Sequence, residues 1–417
     1  MERYEKYKPT DLEWIGKIPE HWEVKKIKHR CYVKGRVGWN GLKSSEFLTD
    51  GYSYLITGTD FKKDVIDWKN CYHIDEERYI EDPFIQLKNE DLLITKDGTI
   101  GKLAVVTNLE KPACLNSGIF VVRSLNPDLT TRFLFWVLKS KSFTEFNDLT
   151  AYGSTIQHLY QNVFVEFAFA FPLIHEQYSI ATYLDRKTAE IDKIIANKQK
   201  LIAIYEEEKQ AIINQAVTRG VNPNVRLKPS GVEWLGDIPK HWEVKRLKHL
   251  ADLKSGEGIT SENIKEIGEY PVYGGNGLRG YFDSFTHEGS FVLIGRQGAL
   301  CGNVNYGSGR FWASEHAVVC TLKDDYNTRW FGELLRTMNL NQYSVAAAQP
   351  GLSVENLKVL QIPVPPVSEQ QFIVSHIEKE SIQLDTIIEK CKKQIKLLKE
   401  YRTTLISEVV TGKVKVI

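Results

Sequence analysis

One phrase is written twice in this chain, and that repetition limits the fold more than any other feature. Lys8–His29 and Lys228–His249, aligned at an offset of 220, agree at 14 of 22 positions, among them Pro9/Pro229, Trp14/Trp234, Pro19/Pro239, His21/His241 and Trp22/Trp242. A second pair repeats at an offset of 193: "HEQYSIATYLDRKTAEIDKII" from His175 matches "SEQQFIVSHIEKESIQLDTII" from Ser368, and "VTRG" at Val217 meets "VTGK" at Val410. Repeats of this kind define the architecture before any motif does. The chain is two copies of one module, with a constant frame around two unlike inserts. Since 220 − 193 = 27, the first insert is 27 residues longer than the second.

The second repeated pair has a heptad period. At seven-residue steps the later copy reads Ile377, Leu384, Cys391, Leu398 and Leu405, with Ile388 and Ile395 on the neighbouring stripe. The earlier copy reads Leu184, Ile191, Lys198, Tyr205 and Ile212, with Ile195 and Ile202. Such spacing makes a narrow apolar seam along a helix. Neither Glu176–Arg219 nor Glu369–Thr411 contains Pro or Gly, so each segment predicts one helix of about 40 residues, roughly 60 Å long. A helix that long with a one-sided seam needs a partner. The matching seam of the other copy is the nearest candidate, and two similar modules on one chain are most simply related by a pseudo-two-fold axis, which makes the pair antiparallel. The alternative is that each helix packs on its own half alone.

The inserts read as mixed α/β material. "DLLIT", "KLAVVT", "IFVVRS", "FVLIG" and "HAVVCTLK" are β-branched runs bounded by Gly, Asn and Asp, while "RFLFWVLKSKSF" and "RWFGELLRTM" have helical spacing. Each insert carries a strand, a charged glycine turn and another strand, "LITKDGTIGKLAVV" from Leu93 and "LIGRQGALCGNVNY" from Leu293. The expected fold class is therefore α+β: two mixed α/β domains and two long helices forming an antiparallel coiled coil, with a pseudo-two-fold internal repeat. The expected boundaries are a first repeat segment (1–29), a first insert (30–174), a central helix (175–220), a linker with the second repeat segment (221–249), a second insert (250–367) and a final helix (368–417).

Charge and cysteine usage narrow the function. Net charge is +1, yet residues 30–171 carry 16 Lys/Arg against 18 Asp/Glu and residues 250–364 carry 9 against 12. The inserts are thus −2 and −3, which excludes a protein that coats DNA with basic surface; contacts to nucleic acid would be local, with other groups neutralising phosphate. The six cysteines show no metal-ligand spacing and read as reduced, buried thiols, and no metal site is expected. No apolar run of 18 residues and no leader pattern is present, so no membrane association and a cytoplasmic location are expected.

Three apparent motifs fail on context. "GNGLRG" at Gly275–Gly280 fits G-x-G-x-x-G, but "YFDSF" follows where a helix must open, so a glycine-rich loop between strands is expected instead of a dinucleotide site. "EVK" at Glu23 and Glu243 resembles the end of a metal-dependent nuclease motif but lacks a placed upstream aspartate. The Asn222–Pro223 pair lacks the rest of an adenine-methyltransferase loop. No catalytic residues are expected. His21 and His241, each beside a Trp at the repeat period, fit a structural corner better than a ligand pair.

The phrases "EWIGKIPEHWEVKKIKH" and "EWLGDIPKHWEVKRLKH", with "FPLIHEQYSIATYLD" and "IPVPPVSEQQFIVSHI" each leading into a long helix, resemble the specificity subunit of type I restriction-modification enzymes over nearly the whole chain. "YPVYGGNGLRGYFDSF" at Tyr270–Phe285 is similar to a segment of that family's target recognition domains, and the first insert has no good copy of it. The resemblance implies a non-catalytic chain of a host-defence and DNA-methylation system. Each insert would be a target recognition domain reading one half of a bipartite, asymmetric site in double-stranded DNA. The helices would set the spacing, and the repeated frame would dock two methyltransferase subunits, with two restriction subunits in the full complex. It implies no cofactor in this chain, S-adenosylmethionine in the methyltransferase, and ATP and Mg in the motor-nuclease subunit. A competing reading is a helical scaffold or stand-alone DNA-binding protein with two unrelated binding modules.

Base readout favours Arg or Lys on guanine and Asn or Gln on adenine, on a backbone able to approach a groove. The candidates in the second insert are Tyr273, Gly274, Asn276 and Arg279 in the glycine-rich loop, with Arg296 and Gln297 in the turn after "FVLIG". In the first insert they are Lys96 and Asp97 at the corresponding turn, with Lys34, Arg36, Trp39, Asn40 and Lys43 in "KGRVGWNGLKSS". For each the alternative is an ordinary exposed turn residue.

Overall fold

The computed structural model describes residues 2–36, 41–150, 158–298, 300–344 and 351–416. The chain divides into two compact units, one of Met1–Lys198 with Lys393–Ile417, the other of Gln199–Lys392. This partition cuts across the long helices, so each unit holds a repeat segment, an insert, and part of both helices.

In the first unit a short hairpin joins Tyr7–Pro9 to Lys17–Pro19, and Glu23–Lys26 pairs antiparallel with Ala168–Phe171, the strand that leaves the insert. Between these two strands lies a six-stranded sheet in the order Cys31–Gly35, Ile119–Ser124, Leu92–Thr95, Leu103–Val105, Val65–Ile66, Phe61–Lys62. A three-stranded sheet of Ala113–Leu115, Ser53–Ile56 and Tyr72–Ile74 accompanies it. The Thr131–Lys139 helix starts where the Thr130 hydroxyl accepts from Phe133 N–H, one of the free donors of its first turn. Its apolar face, with Phe133 and Trp136, joins Trp22, Phe164 and Phe167 and the helix residues Leu184, Ile191, Leu405 and Val409 in one core.

The second unit repeats this plan. Leu227–Pro229 pairs with Asp237–Pro239, and Glu243–Arg246 with Gln361–Val364. Its sheet runs Ala251–Ser255, Ala317–Leu322, His287–Gly295, Val304–Ala313, Tyr270–Gly274, Gly277–Phe282. Asn327 caps the Thr328–Thr337 helix, and Trp330, Phe331 and Leu334 pack with Trp242, Ile213, Val217, Ile373 and Ile377. The strands and helices expected in the inserts form at their places, except that the helical stretch expected over 132–143 breaks at the extended Ser140 into two helices, Thr131–Lys139 and Lys141–Thr150.

The long helices span Ile174–Arg219 and Val367–Val410. They run antiparallel in both units. Arg402 meets Asp192 at 3.1 Å and Lys198 Nζ lies 2.6 Å from Gln394 in the first, while Lys209 meets Asp385 at 2.7 Å in the second. Of the expected seam, Leu184, Ile191, Ile195, Ile377, Leu384, Ile388 and Leu405 are buried, and Ile202, Tyr205, Ile212, Ile395 and Leu398 are half-buried. Past Tyr205 the buried position is Ile213, not Ile212. A helix of 3.6 residues per turn drifts about 20° per heptad from a strict seven-residue stripe, so the inner face steps on by one residue.

The repeated words of the sequence meet at one corner in each unit. Glu176, in the first turn of the earlier long helix, accepts from Trp22 Nε1 at 3.2 Å, Tyr4 OH at 3.1 Å and its own Leu173 N–H at 3.1 Å, with His21 Nε2 3.1 Å away. Glu369 takes Trp242 Nε1 at 3.0 Å and His241 Nε2 at 2.7 Å. The adjacent glutamines tie in the inserts: Gln177 accepts from Thr130 N–H and Gln370 from Asn327 N–H, the capping residues of the two insert helices. Gly412 closes the first corner and Gly220 the second. Both have positive φ, +72° and +76°, and a Cβ on Gly412 would lie 2.4 Å from the Pro19 ring. Burial pushes the Glu176 carboxyl up, but the hydrogen bonds from His21, Trp22 and Leu173 outweigh it and hold the group below its ordinary range.

Candidate nucleic-acid interface

In both inserts the central strand of the large sheet ends in a turn held by the same backbone frame. In the first, Ile119 pairs with Thr95, Lys96 N–H donates to Gly118 O (2.9 Å), and Leu159 N–H donates to Lys96 O (2.9 Å). In the second, Ala317 pairs with Gly295, Arg296 N–H donates to His316 O (2.8 Å), and Leu352 N–H donates to Arg296 O (2.9 Å). Lys96 and Asp97 therefore occupy the same structural positions as Arg296 and Gln297. Each turn is also met by a histidine that sequence spacing alone did not single out. His158 Nδ1 lies 2.7 Å from Asp97 Oδ1, and His316 Nδ1 lies 3.0 Å from Gln297 Oε1.

The second insert brings its two candidate loops into contact. A Cβ on Gly295 would lie 2.1 Å from Gly275 O, and one on Gly275 would lie 3.4 Å from Gln297 O. Only glycines let the 274–277 hairpin lie against the 295–297 turn. Gly277 turns the hairpin at φ +91°, Asn276 Oδ1 accepts from Asn303 Nδ2 (2.9 Å), and the exposed Arg279 folds its stem across Gly274. Arg296 reaches back to the Ser255 hydroxyl at 3.0 Å. Tyr273 is part of the packing: its ring meets Phe311 edge-on at 5.5 Å, and its carbonyl accepts from Ser314 N–H. Of the expected glycine-rich loop only Gly275 and Asn276 form the turn: Tyr273 and Gly274 end one strand, Tyr270–Gly274, and Arg279 lies on the next, Gly277–Phe282, because the segment folds as a tight hairpin; no helix follows it.

In the first insert Lys96 Nζ bonds Asp97 Oδ2 at 2.9 Å and lies 5.7 Å from the Phe120 ring centroid. Burial raises the Asp97 carboxyl, but the His158 and Lys96 hydrogen bonds outweigh it and hold it below its ordinary value, as a charged acceptor. The "KGRVGWNGLKSS" stretch is not one polar loop. Lys34 is exposed on the Cys31–Gly35 strand, opposite Val121. Arg36 is only 3% exposed, with Nε donating to Leu115 O at 3.0 Å, so its guanidinium belongs to the interior rather than to an exposed turn. Lys43 is exposed, its N–H donating to Glu46 at 2.6 Å, and Trp39 and Asn40 lie outside the described residues. Where the second insert places the glycine-rich hairpin at the sheet edge, the first has the Phe61–Ile66 hairpin, whose Val65 likewise pairs parallel with the neighbouring strand.

Among the described residues no three His, Cys, Asp or Glu side chains cluster to hold a metal ion. The six cysteines are free and buried, and burial pushes the Cys71 and Cys320 thiols up to about 12. Among the described residues no helix is long and apolar enough to cross a membrane.

Comparison with known proteins agrees with this architecture. The family model for the type I restriction modification DNA specificity domain matches twice, over residues 19–203 and 239–397. The chain is 42% identical over 149 residues to the EcoprrI specificity subunit of Escherichia coli, covering 35% of this chain and 37% of that protein, so this match spans little more than a third of the relative's length. It is 22% identical to the MjaVIII specificity subunit of Methanocaldococcus jannaschii over 96% of this chain and 94% of that protein. A solved structure concerning assembly and conformational transition of the type I R-M system superposes with a TM-score of 0.75 at 15% identity, over 95% of this chain and 99% of the other. The HsdS subunit from Thermoanaerobacter tengcongensis gives 0.57 at 14% identity, over 95% and 98%. With two unlike inserts on one duplicated frame, and two matches to the same domain covering most of its length, the chain belongs to the type I restriction-modification DNA specificity family.

Proposed function

We propose that this chain selects the DNA site for a type I restriction-modification assembly and performs none of the chemistry. The observation that carries the reading is a contrast within one fold. The His-Trp-Glu corner is built twice from the same residues, while the turns at 96–97 and 296–297 share a backbone frame and differ in every side chain. A constant frame suits two copies of one partner, and divergent turns suit two different base sequences. In this reading residues 30–174 and 250–367 are the target recognition domains, each reading one half of a bipartite, asymmetric site, and the paired helices set the gap between the halves. Two methyltransferase subunits dock on the repeated frame and supply S-adenosylmethionine chemistry, and two restriction subunits bring ATP- and Mg-dependent translocation and cleavage. The acidic balance of the inserts supports it too, because phosphate neutralisation then falls to those partners. The location that follows is cytoplasmic.

The test is adenine methylation across the genome of cells with and without this gene. Loss of methylation at one two-part motif is the expected result. If purified chain with its methyltransferase instead binds no sequence in preference to another, the helical-scaffold reading takes its place.

A further inference from the structure

We propose that residues 97 and 297 are the matched base-reading positions of the two inserts, each aimed by a histidine: Asp97 takes the amino group of a cytosine and Gln297 takes an adenine. The inference rests on the site-selecting reading above and deepens it. Its basis is that two different parts of the chain deliver a histidine to the same place. His158 comes from the segment entering Leu159, whereas His316 precedes the Ala317–Leu322 strand. Shared ancestry of the frame does not account for that. A common need to fix the side chain two residues past the central strand does.

The chemistry of each clamp is defined. Asp97 Oδ1 and Gln297 Oε1 only accept, so Nδ1 of each histidine carries the proton and donates. Lys96 holds the other Asp97 oxygen, and Glu315 lies 3.2 Å from His316 Nε2, so Asp97 in one turn and His316 in the other each have a second partner. The neighbouring cations are engaged within the protein, Lys96 with Asp97 and Arg296 with Ser255. Side-chain oxygen is what each turn offers: a carboxylate with free lone pairs in one, a carboxamide with both an acceptor and donor in the other. A carboxylate on a major-groove edge suits the N4 amino group of cytosine, and a carboxamide suits N6 and N7 of adenine. His158 and His316 are positioning residues; Asp97 and Gln297 make the contact.

The experiment uses this chain in complex with its methyltransferase. The motif methylated by the unaltered complex is determined first, then methylation is measured on DNA carrying every single-base change in it. Sequence-independent or absent methylation by the unaltered complex overturns the site-selecting reading itself, and separates that failure from this one. With a defined motif, Asp97→Asn is expected to move the preference at one position of one half-site from cytosine to adenine. Gln297→Glu is expected to do the reverse at one position of the other half-site, each change being roughly 5- to 150-fold in discrimination. His158→Ala flattens the same position as Asp97→Asn and adds nothing to Asp97→Ala, whereas His158→Gln, which retains a donor, restores much of the discrimination. A uniform fall at all sequences, or changes spread over several positions, overturns the proposal.

Discussion

Replacing Glu176 with Ala removes the shared acceptor of the first corner and should loosen it selectively. Trp22 is fully buried, so its Nε1–H is left without water or partner, a loss of about 1–3 kcal/mol. Tyr4 OH and Leu173 N–H sit nearer solvent and each loses about 0.5–1 kcal/mol. The His21 pairing adds little, because that side chain is 47% exposed and water screens it. The sum is about 2–5 kcal/mol, which in amide hydrogen exchange lowers protection of peptides covering residues 17–30 roughly 30- to 5,000-fold, up to the limit set by global opening. The Glu369 carboxylate is 23% exposed against 2% for Glu176, so Glu369→Ala should loosen its own corner less. Glu176→Gln, which keeps an oxygen in place, should recover most of the protection. Unchanged protection over 17–30 in Glu176→Ala, or an equal loss over 237–249, would refute the assignment of this carboxylate as the anchor of one corner.

Three further outcomes are expected. Because the Glu176 carboxyl is held below its ordinary value of 4.5, the stability it contributes is complete above that value and is lost only as pH falls through the lowered one. Protection of residues 17–30 should therefore persist at pH 4.5 and fail below it, and a loss already complete at pH 5 would contradict the sign. Gly295→Ala forces a Cβ to within 2.1 Å of Gly275 O, so the 274–277 hairpin must move; methylation assays on single-base variants should show relaxed discrimination in one half-site only, while the other half keeps its pattern. Removing a matched heptad from both long helices, within 191–212 and its antiparallel partner stretch, shortens the pair by about 10 Å. The gap in the preferred site should shorten or binding should fail, and an unchanged gap would remove the helices as a ruler.

The parts of this fold that repeat were readable from the chain because repetition carries its own alignment. The long helices announce themselves through heptad spacing, and the corner through His-Trp in one segment and Glu-Gln in the other, although only coordinates show that Trp22 and Glu176 meet. What stayed hidden depends on pairing between distant strands. Nothing local marks His158 as the neighbour of Asp97, 61 residues earlier, or Gly275 as the surface against which Gly295 lies. Arg36 looked like an exposed cation between glycines, yet the strand it follows carries it inward to Leu115. The turns at 96–97 and 296–297 are legible as turns because glycine and charge mark them. Which side chain is aimed there is set by segments that approach from elsewhere in the fold.

The first unit is closed by the last part of the chain. Lys393–Ile417 completes it, with Tyr7 OH donating to Gly412 O at 3.1 Å and Glu2 bridging Lys415, whereas the second unit is continuous in sequence. During synthesis the second unit has all its parts while the first still waits, its Ile191 and Ile195 face uncovered for the time needed to translate about 200 more residues, on the order of 10–40 s at about 5–20 residues per second. The half made earliest is therefore the half that finishes folding last, and a ribosome halted within the final helix releases a chain with one finished unit and one left open along an apolar stripe.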